Sequence, residues 1–137
     1  MTADPLPLIE AARTARLNAI APFSHFQVGA ALETVNGQVI TGCNIENSTY
    51  GLTLCAERVA VFKALSEGFR SFCRIAIVAD TEPPTPPCGA CRQILWEFCG
   101  DIEVLLANLK DLQSRLQMAD LFPLPFNRRF LGERGQS

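Results

Sequence analysis

Cys55, Cys88 and Cys91, with Glu57 two residues after the first of them, are the residues of this chain whose types and spacing can do chemistry. Zinc takes four ligands in a tetrahedron. Three protein ligands leave one position for water and mark a catalytic site, whereas a fourth closes it into a structural one. Cys88 and Cys91 lie in Pro87-Cys88-Gly89-Ala90-Cys91, and at the start of a helix that spacing points both sulfurs the same way. Cys55 falls at the start of another helix. Helix N-termini favour anions and lower a thiol's pKa, and zinc requires the thiolate. Two crossover helices starting at one edge of a sheet would bring the three sulfurs together. Glu57 is then placed to carry a proton to and from a zinc-bound water.

Three thiolates leave a zinc ion with one negative charge in excess, which raises the pKa of its water and opposes hydroxide formation. Something positive must compensate. Arg58 directly follows Glu57, and its guanidinium can donate to the sulfurs and withdraw charge from them. The single histidine, His25, is far from the cysteines in sequence and serves as proton shuttle only if the fold delivers it. Other readings stay open at this point. A CxxC pair can be redox-active, and a structural four-cysteine zinc would recruit Cys43, Cys73 or Cys99. Each of those three stands singly at an element end or inside a strand and reads as a small buried hydrophobe.

The elements that must position these groups follow from pattern. Residues 6–20 carry a helical apolar stripe with proline at the start, and Pro22 ends it. Residues 26–34 and 38–44 read as strands joined by Asn36-Gly37, a pair that favours a type I′ hairpin turn. Residues 45–51 read as a polar loop. Thr53 is the expected N-cap of a helix over 54–66. Residues 74–79 read as a buried strand, 82–87 as a proline-rich loop, 88–98 as a helix and 103–107 as a strand. Residues 112–121 read as a weaker helix stopped by Pro123. The order implies a mixed sheet with helices on both faces.

At 137 residues the chain is long enough for one domain with a core of its own. The expected division is a single domain over 1–137, with its core over about 6–126 and a tail at 127–137. The net charge of −2 and the scatter of Arg and Lys tell against nucleic acid as a partner. No apolar run approaches a bilayer span, and Met1-Thr2-Ala3-Asp4-Pro5 does not open a secretory signal, so membrane association is not expected and a cytoplasmic location is. In such a compartment six cysteines point to metal or burial rather than disulfides.

The stretches Cys55-Ala56-Glu57-Arg58 and Pro87-Cys88-Gly89-Ala90-Cys91-Arg92-Gln93 resemble the cytidine deaminase family, in its small homotetrameric branch with three cysteine ligands. Three further stretches are similar to the family's motifs: residues 21–31 (Ala-Pro-Phe-Ser-His-Phe-Gln-Val-Gly-Ala-Ala), residues 42–47 (Gly-Cys-Asn-Ile-Glu-Asn) and residues 121–126. The likeness runs from about residue 10 to 126. Phe23 stands where the family often has Tyr, and the tail after Phe126 follows no family pattern.

The resemblance implies an α/β fold: a three-layer α-β-α sandwich around a mixed five-stranded sheet. It implies one Zn²⁺ per subunit on Cys55, Cys88 and Cys91, with Glu57 as proton shuttle. Asn44 and Glu46 would bind the ribose, Phe26 would pack on the nucleoside, and the Ala56 amide would meet the pyrimidine O2. Tyr50 and Phe126 would complete sites across the contacts of a homotetramer. The reaction implied is hydrolytic deamination of cytidine and 2′-deoxycytidine with release of ammonia, as in pyrimidine salvage. A same-fold deaminase of a modified cytosine nucleoside or nucleoside antibiotic is the nearest alternative, and a non-catalytic zinc domain a distant one.

Overall fold

The computed structural model describes residues 4–132. Its helices and strands are α1 (Leu6–Arg16), β1 (Val28–Thr34), β2 (Val39–Cys43), α2 (Ala56–Ser66), β3 (Phe72–Ala79), α3 (Gly89–Cys99), β4 (Glu103–Ala107), β5 (Leu112–Gln117) and the single turn α4 (Met118–Leu121). The sheet has five strands in the order β2-β1-β3-β4-β5. β3 and β4 are parallel, with α3 crossing between them, and every other neighbouring pair is antiparallel. This is the mixed five-stranded sheet expected.

Alternation along the strands sorts the core into two layers. Ala30, Leu32, Ile75, Ile77, Val104 and Leu106 point to the side of α2 and α3. Ala31, Ala76, Val78, Leu105 and Ala107 point to the side of α1, where Leu8, Ile9 and Ala12 cover them. Each fully buried Leu or Ile of these layers contributes about 1.5–3 kcal/mol relative to exposure. The three layers are therefore α1, the sheet, and α2 with α3.

Small residues set how closely the helices lie. A Cβ on Gly42 of β2 would fall 2.5 Å from the Ala60 amide nitrogen and 2.6 Å from the Ala56 carbonyl. Helix α2, which begins beside Cys55, thus rests directly on β2 backbone.

Four local expectations are corrected. Helix α1 ends at Arg16, short of residue 20, and Ile20 instead bridges to Ile45. The hairpin is a three-residue loop rather than a type I′ turn. Thr34 N–H donates to the Gln38 carbonyl at 2.9 Å, the Gly37 N–H donates to the Thr34 carbonyl at 3.0 Å, and Gly37 alone of the loop has a positive φ, +87°. Residues 45–54 are less irregular than a loop. Ile45 and Leu54 exchange backbone hydrogen bonds of 2.9 and 3.0 Å, which carries the chain back to α2 beside the end of β2. Residues 112–117 are the edge strand β5, not helix. Leu112 and Leu116 stand four apart, a spacing that suits one face of a helix and one face of a strand equally. Pairing with β4 decides for the strand, with Leu116 packed on the core and Arg115 bonded to Glu103 at 2.9 Å.

Candidate active site

Helices α2 and α3 both start at one edge of the sheet, and a cysteine forms the N-cap of each: Cys55 for α2 and Cys88 for α3. Cys55 thus takes the position expected of Thr53, whose hydroxyl instead accepts the Asn47 N–H at 3.0 Å. The Cys88 sulfur accepts the Cys91 N–H at 3.4 Å, as a capping acceptor does. A helix N-terminus favours negative charge at both places.

The sulfurs of Cys55, Cys88 and Cys91 lie within 4.8 Å of one another, the one such ligand cluster among the described residues. Cys55 and Cys88 are 3.9 Å apart, and Cys88 and Cys91 3.3 Å. Zn–S bonds of about 2.3 Å in a tetrahedron place sulfurs about 3.8 Å apart, so the donor set fits zinc. Arg58 Nη2 donates to the Cys55 sulfur at 3.6 Å and to the Thr53 carbonyl at 3.3 Å. Its Nε is buried with no hydrogen-bond partner among the described residues. A guanidinium held this way needs an anion beside it, and the Cys55 sulfur supplies one. The Cys55 thiol is pulled down to about 5, chiefly by a hydrogen bond from Cys91 and further by Arg58, while the same bond and burial push Cys91 up.

The other cysteines do not join the cluster. Burial pushes the thiols of Cys43 and Cys73 up, and that of Cys99 up to about 12. Cys43 and Cys99 are half-buried and Cys73 is exposed, which corrects the expectation of three small buried hydrophobes, and among the described residues no fourth cysteine sulfur lies with the three.

Glu57, in the first turn of α2, is 5% exposed. Burial pushes its carboxyl up to about 7, although its own backbone N–H, Arg58 and a hydrogen bond from Cys91 all pull the other way. A carboxyl poised there can both accept and give up a proton near neutral pH. It lines a cavity of about 280 Å³ together with Cys55, Cys88, Ala56, Phe26 and Asn44. His25 is exposed with a φ of 58° and is not part of that lining.

Asn44 is buried, and both ends of its amide are already engaged. Its Oδ1 accepts the Val28 N–H at 2.8 Å and its Nδ2 donates to the Phe26 carbonyl at 2.7 Å. One hydrogen and one lone pair remain for a ligand. Glu46 turns away from the cavity. Its Oε1 accepts the N–H groups of Phe23 and Ser24 at 2.9 and 3.1 Å, its Oε2 accepts the Ser24 hydroxyl, and that hydroxyl holds the carboxyl below its usual range. Glu46 and Tyr50 line an adjoining pocket of about 380 Å³ with Phe23, Ser24 and Thr53, and Thr53 is shared by both pockets. Phe126 stands elsewhere, stacked on Phe130 with ring centres 5.7 Å apart. A groove of about 600 Å³ between Trp96 and Phe130 includes none of the three cysteines in its lining and is not where the chemistry gathers.

Sequence reasoning missed Thr85 and Pro86, which wall the cavity. The signal available was position, since both belong to the proline-rich loop that runs straight into Cys88. It also missed Ser24, which ties Glu46 to the Phe26 segment by accepting the Phe26 N–H at 3.0 Å.

The cytidine and deoxycytidylate deaminase zinc-binding region matches residues 5–107. A cytidine deaminase of Sporosarcina psychrophila is 51% identical over 125 residues, covering 90% of this chain and 92% of the relative. One from Halalkalibacterium halodurans is 53% identical over 120 residues, covering 87% and 91%. The crystal structure of a cytidine deaminase from Burkholderia pseudomallei superposes with a TM-score of 0.86 at 48% identity, over 92% of this chain and all of that one. A family match over most of the length, relatives at half identity and a three-cysteine centre at the shared helix edge converge on one statement: the chain belongs to the cytidine deaminase family.

Proposed function

We propose that this enzyme hydrolyses cytidine and 2′-deoxycytidine to uridine and 2′-deoxyuridine with release of ammonia, as a step of pyrimidine salvage. The observation that carries the reading is a buried Glu57 beside three convergent cysteine sulfurs, in a cavity walled by Phe26 and Asn44. Held by Cys55, Cys88 and Cys91, zinc would acidify water to a nucleophile and offset the charge that develops on it.

The chain's own groups do the rest. Glu57 takes the proton of the attacking water and delivers it to ring N3. Oxygen bonds to C4, Glu57 takes the remaining proton of the C4 hydroxyl and passes it to the exocyclic nitrogen, and the C4–N bond breaks to release ammonia and leave the C4 carbonyl. Arg58 draws charge from Cys55, which relieves the excess that three thiolates create. Phe26 offers an aromatic face to the pyrimidine, the Ala56 amide its N–H to O2, and Asn44 its remaining donor and acceptor to a sugar hydroxyl. Glu46 reaches that hydroxyl if its carboxylate swings from Ser24.

The test is a substrate panel. Purified enzyme is given cytidine, deoxycytidine and a cytosine-containing oligonucleotide, and ammonia is followed. Both nucleosides are expected to turn over and the oligonucleotide to stay intact. Turnover of the oligonucleotide alone overturns the choice of substrate.

We further propose a single cytoplasmic domain over 1–137 that assembles as a homotetramer, with Tyr50 and Phe126 of one subunit completing a neighbour's site. One sheet with core on both faces supports the single domain. Among the described residues no helix is long and apolar enough to cross a membrane. Tyr50 and Phe126 are 73% and 53% exposed, and large apolar side chains in the open favour a protein partner. Sedimentation should give four times the chain mass of 15.0 kDa, and a species of chain mass at working concentration counts against assembly.

A further inference from the structure

The loop that delivers Cys88 has an unusual supply of hydrogen-bonding groups. Pro83, Pro84, Pro86 and Pro87 make up four of the six residues 82–87 and carry no N–H. Such a segment offers carbonyls and almost no donors, so it cannot be anchored by ladder bonds of its own. Donors must come from side chains elsewhere. At the far end, Thr81 Oγ1 donates to the Pro83 carbonyl at 2.7 Å, and Gln113 Nε2 of β5 donates to the carbonyls of Thr81 and Glu82. At the near end the donor is Arg92. Its Nε donates at 2.8 Å to the carbonyl of Pro87, the residue immediately before Cys88. Its Nη1 donates, also at 2.8 Å, to the carbonyl of Leu121 at the end of α4. The next residue, Gln93, donates to the Phe126 carbonyl at 2.8 Å.

We propose that Arg92 is a positioning residue for the metal centre: its guanidinium braces the Cys88 ligand loop against the 121–126 segment. The role rests on the zinc reading of the three cysteines. A planar guanidinium presents donors in fixed directions, so two carbonyls on separate segments are held in one geometry. An ammonium at the same place could reach one of them but would not fix both. The sequence motif after the second metal-site cysteine thereby acquires a purpose. Cys91 supplies a sulfur, Arg92 fixes the backbone that aims the Cys88 sulfur, and Gln93 extends the brace to Phe126.

The test is the rate at which zinc leaves folded protein. Zinc-loaded wild type, Arg92→Met, Arg92→Lys and Gln113→Met are mixed with excess chromogenic zinc chelator, well below each unfolding midpoint. Arg92→Met should release zinc about tenfold faster than wild type, the usual cost of losing a group that orients a ligand. Arg92→Lys should fall between them. Gln113→Met loosens the same loop at its far end and should release zinc near the wild-type rate. A wild-type rate in Arg92→Met overturns the proposal, and so does an equal acceleration in Gln113→Met, which would make loop order in general the cause. If Arg92→Met does not fold, the Arg92→Lys rate decides in the same way. A wild-type protein with no zinc to release defeats the metal reading itself, whereas equal retention by all four proteins defeats only the role of Arg92.

Discussion

Glu57→Gln should retain about one zinc per chain and lose turnover by at least about 10³-fold, the scale of a positioned proton carrier. The amide keeps the shape of the buried side chain and can still accept a hydrogen bond, but it cannot take a proton from water or pass one to N3 and the leaving amine. Because the carboxyl is 5% exposed, solvent cannot easily deliver a substitute base. The loss should sit in kcat, with KM little changed. Metal content by atomic absorption and kcat by the absorbance change of deamination check it together. A zinc-loaded variant that turns over like wild type would remove Glu57 from the mechanism.

Cys91→Ala should be the most damaging single change to the metal centre. Its sulfur is fully buried and is the link between Cys88 and Glu57. Two thiolates remain, and they form an incomplete zinc site. Zinc content after dialysis should fall from about one per chain to a small fraction of that, and activity should fall with it. Unfolding gives a second readout. A ligand at a hundredfold excess over its Kd stabilises the folded state by about 2.7 kcal/mol, so added zinc should raise the wild-type midpoint by several degrees and leave Cys91→Ala almost unmoved. Alanine at Cys43, Cys73 or Cys99 should leave zinc content intact. Full zinc in Cys91→Ala, or its loss from one of the other three, would mean a different ligand set.

Much of this was readable from the chain, and the failures share a cause. Spacing alone singled out the three cysteines that the fold brings together, because two i, i+3 cysteines at a helix start and a third cysteine beside a carboxylate are few enough to be distinctive. The buried strands were readable because runs such as Ile75-Ala76-Ile77-Val78 can only be interior. The edge strand was not. Leu112 and Leu116 satisfy two periodicities at once, and only the partner β4 chooses between them. The capping of α2 was misjudged for a similar reason. Thr53 is the better cap by residue type, but the Ile45–Leu54 bridge fixes where the helix begins and puts Cys55 there. The engaged carboxylate of Glu46 lay beyond sequence reasoning, because its partner Ser24 is 22 residues away and meets it only in the folded chain.

The four prolines that leave the 82–87 loop short of donors also act on the state the protein leaves behind when it folds. Each restricts its own φ and the residue before it, so the unfolded chain samples fewer conformations there than an ordinary loop would. Ordering this segment costs correspondingly less entropy. The wall that Thr85 and Pro86 present to the cavity is therefore stiff before any nucleoside arrives, and little of the substrate's binding energy is diverted to ordering it. Closing a site around a ligand usually demands a mobile lid. Here one side of the cavity is a segment whose freedom was already surrendered in the covalent chain.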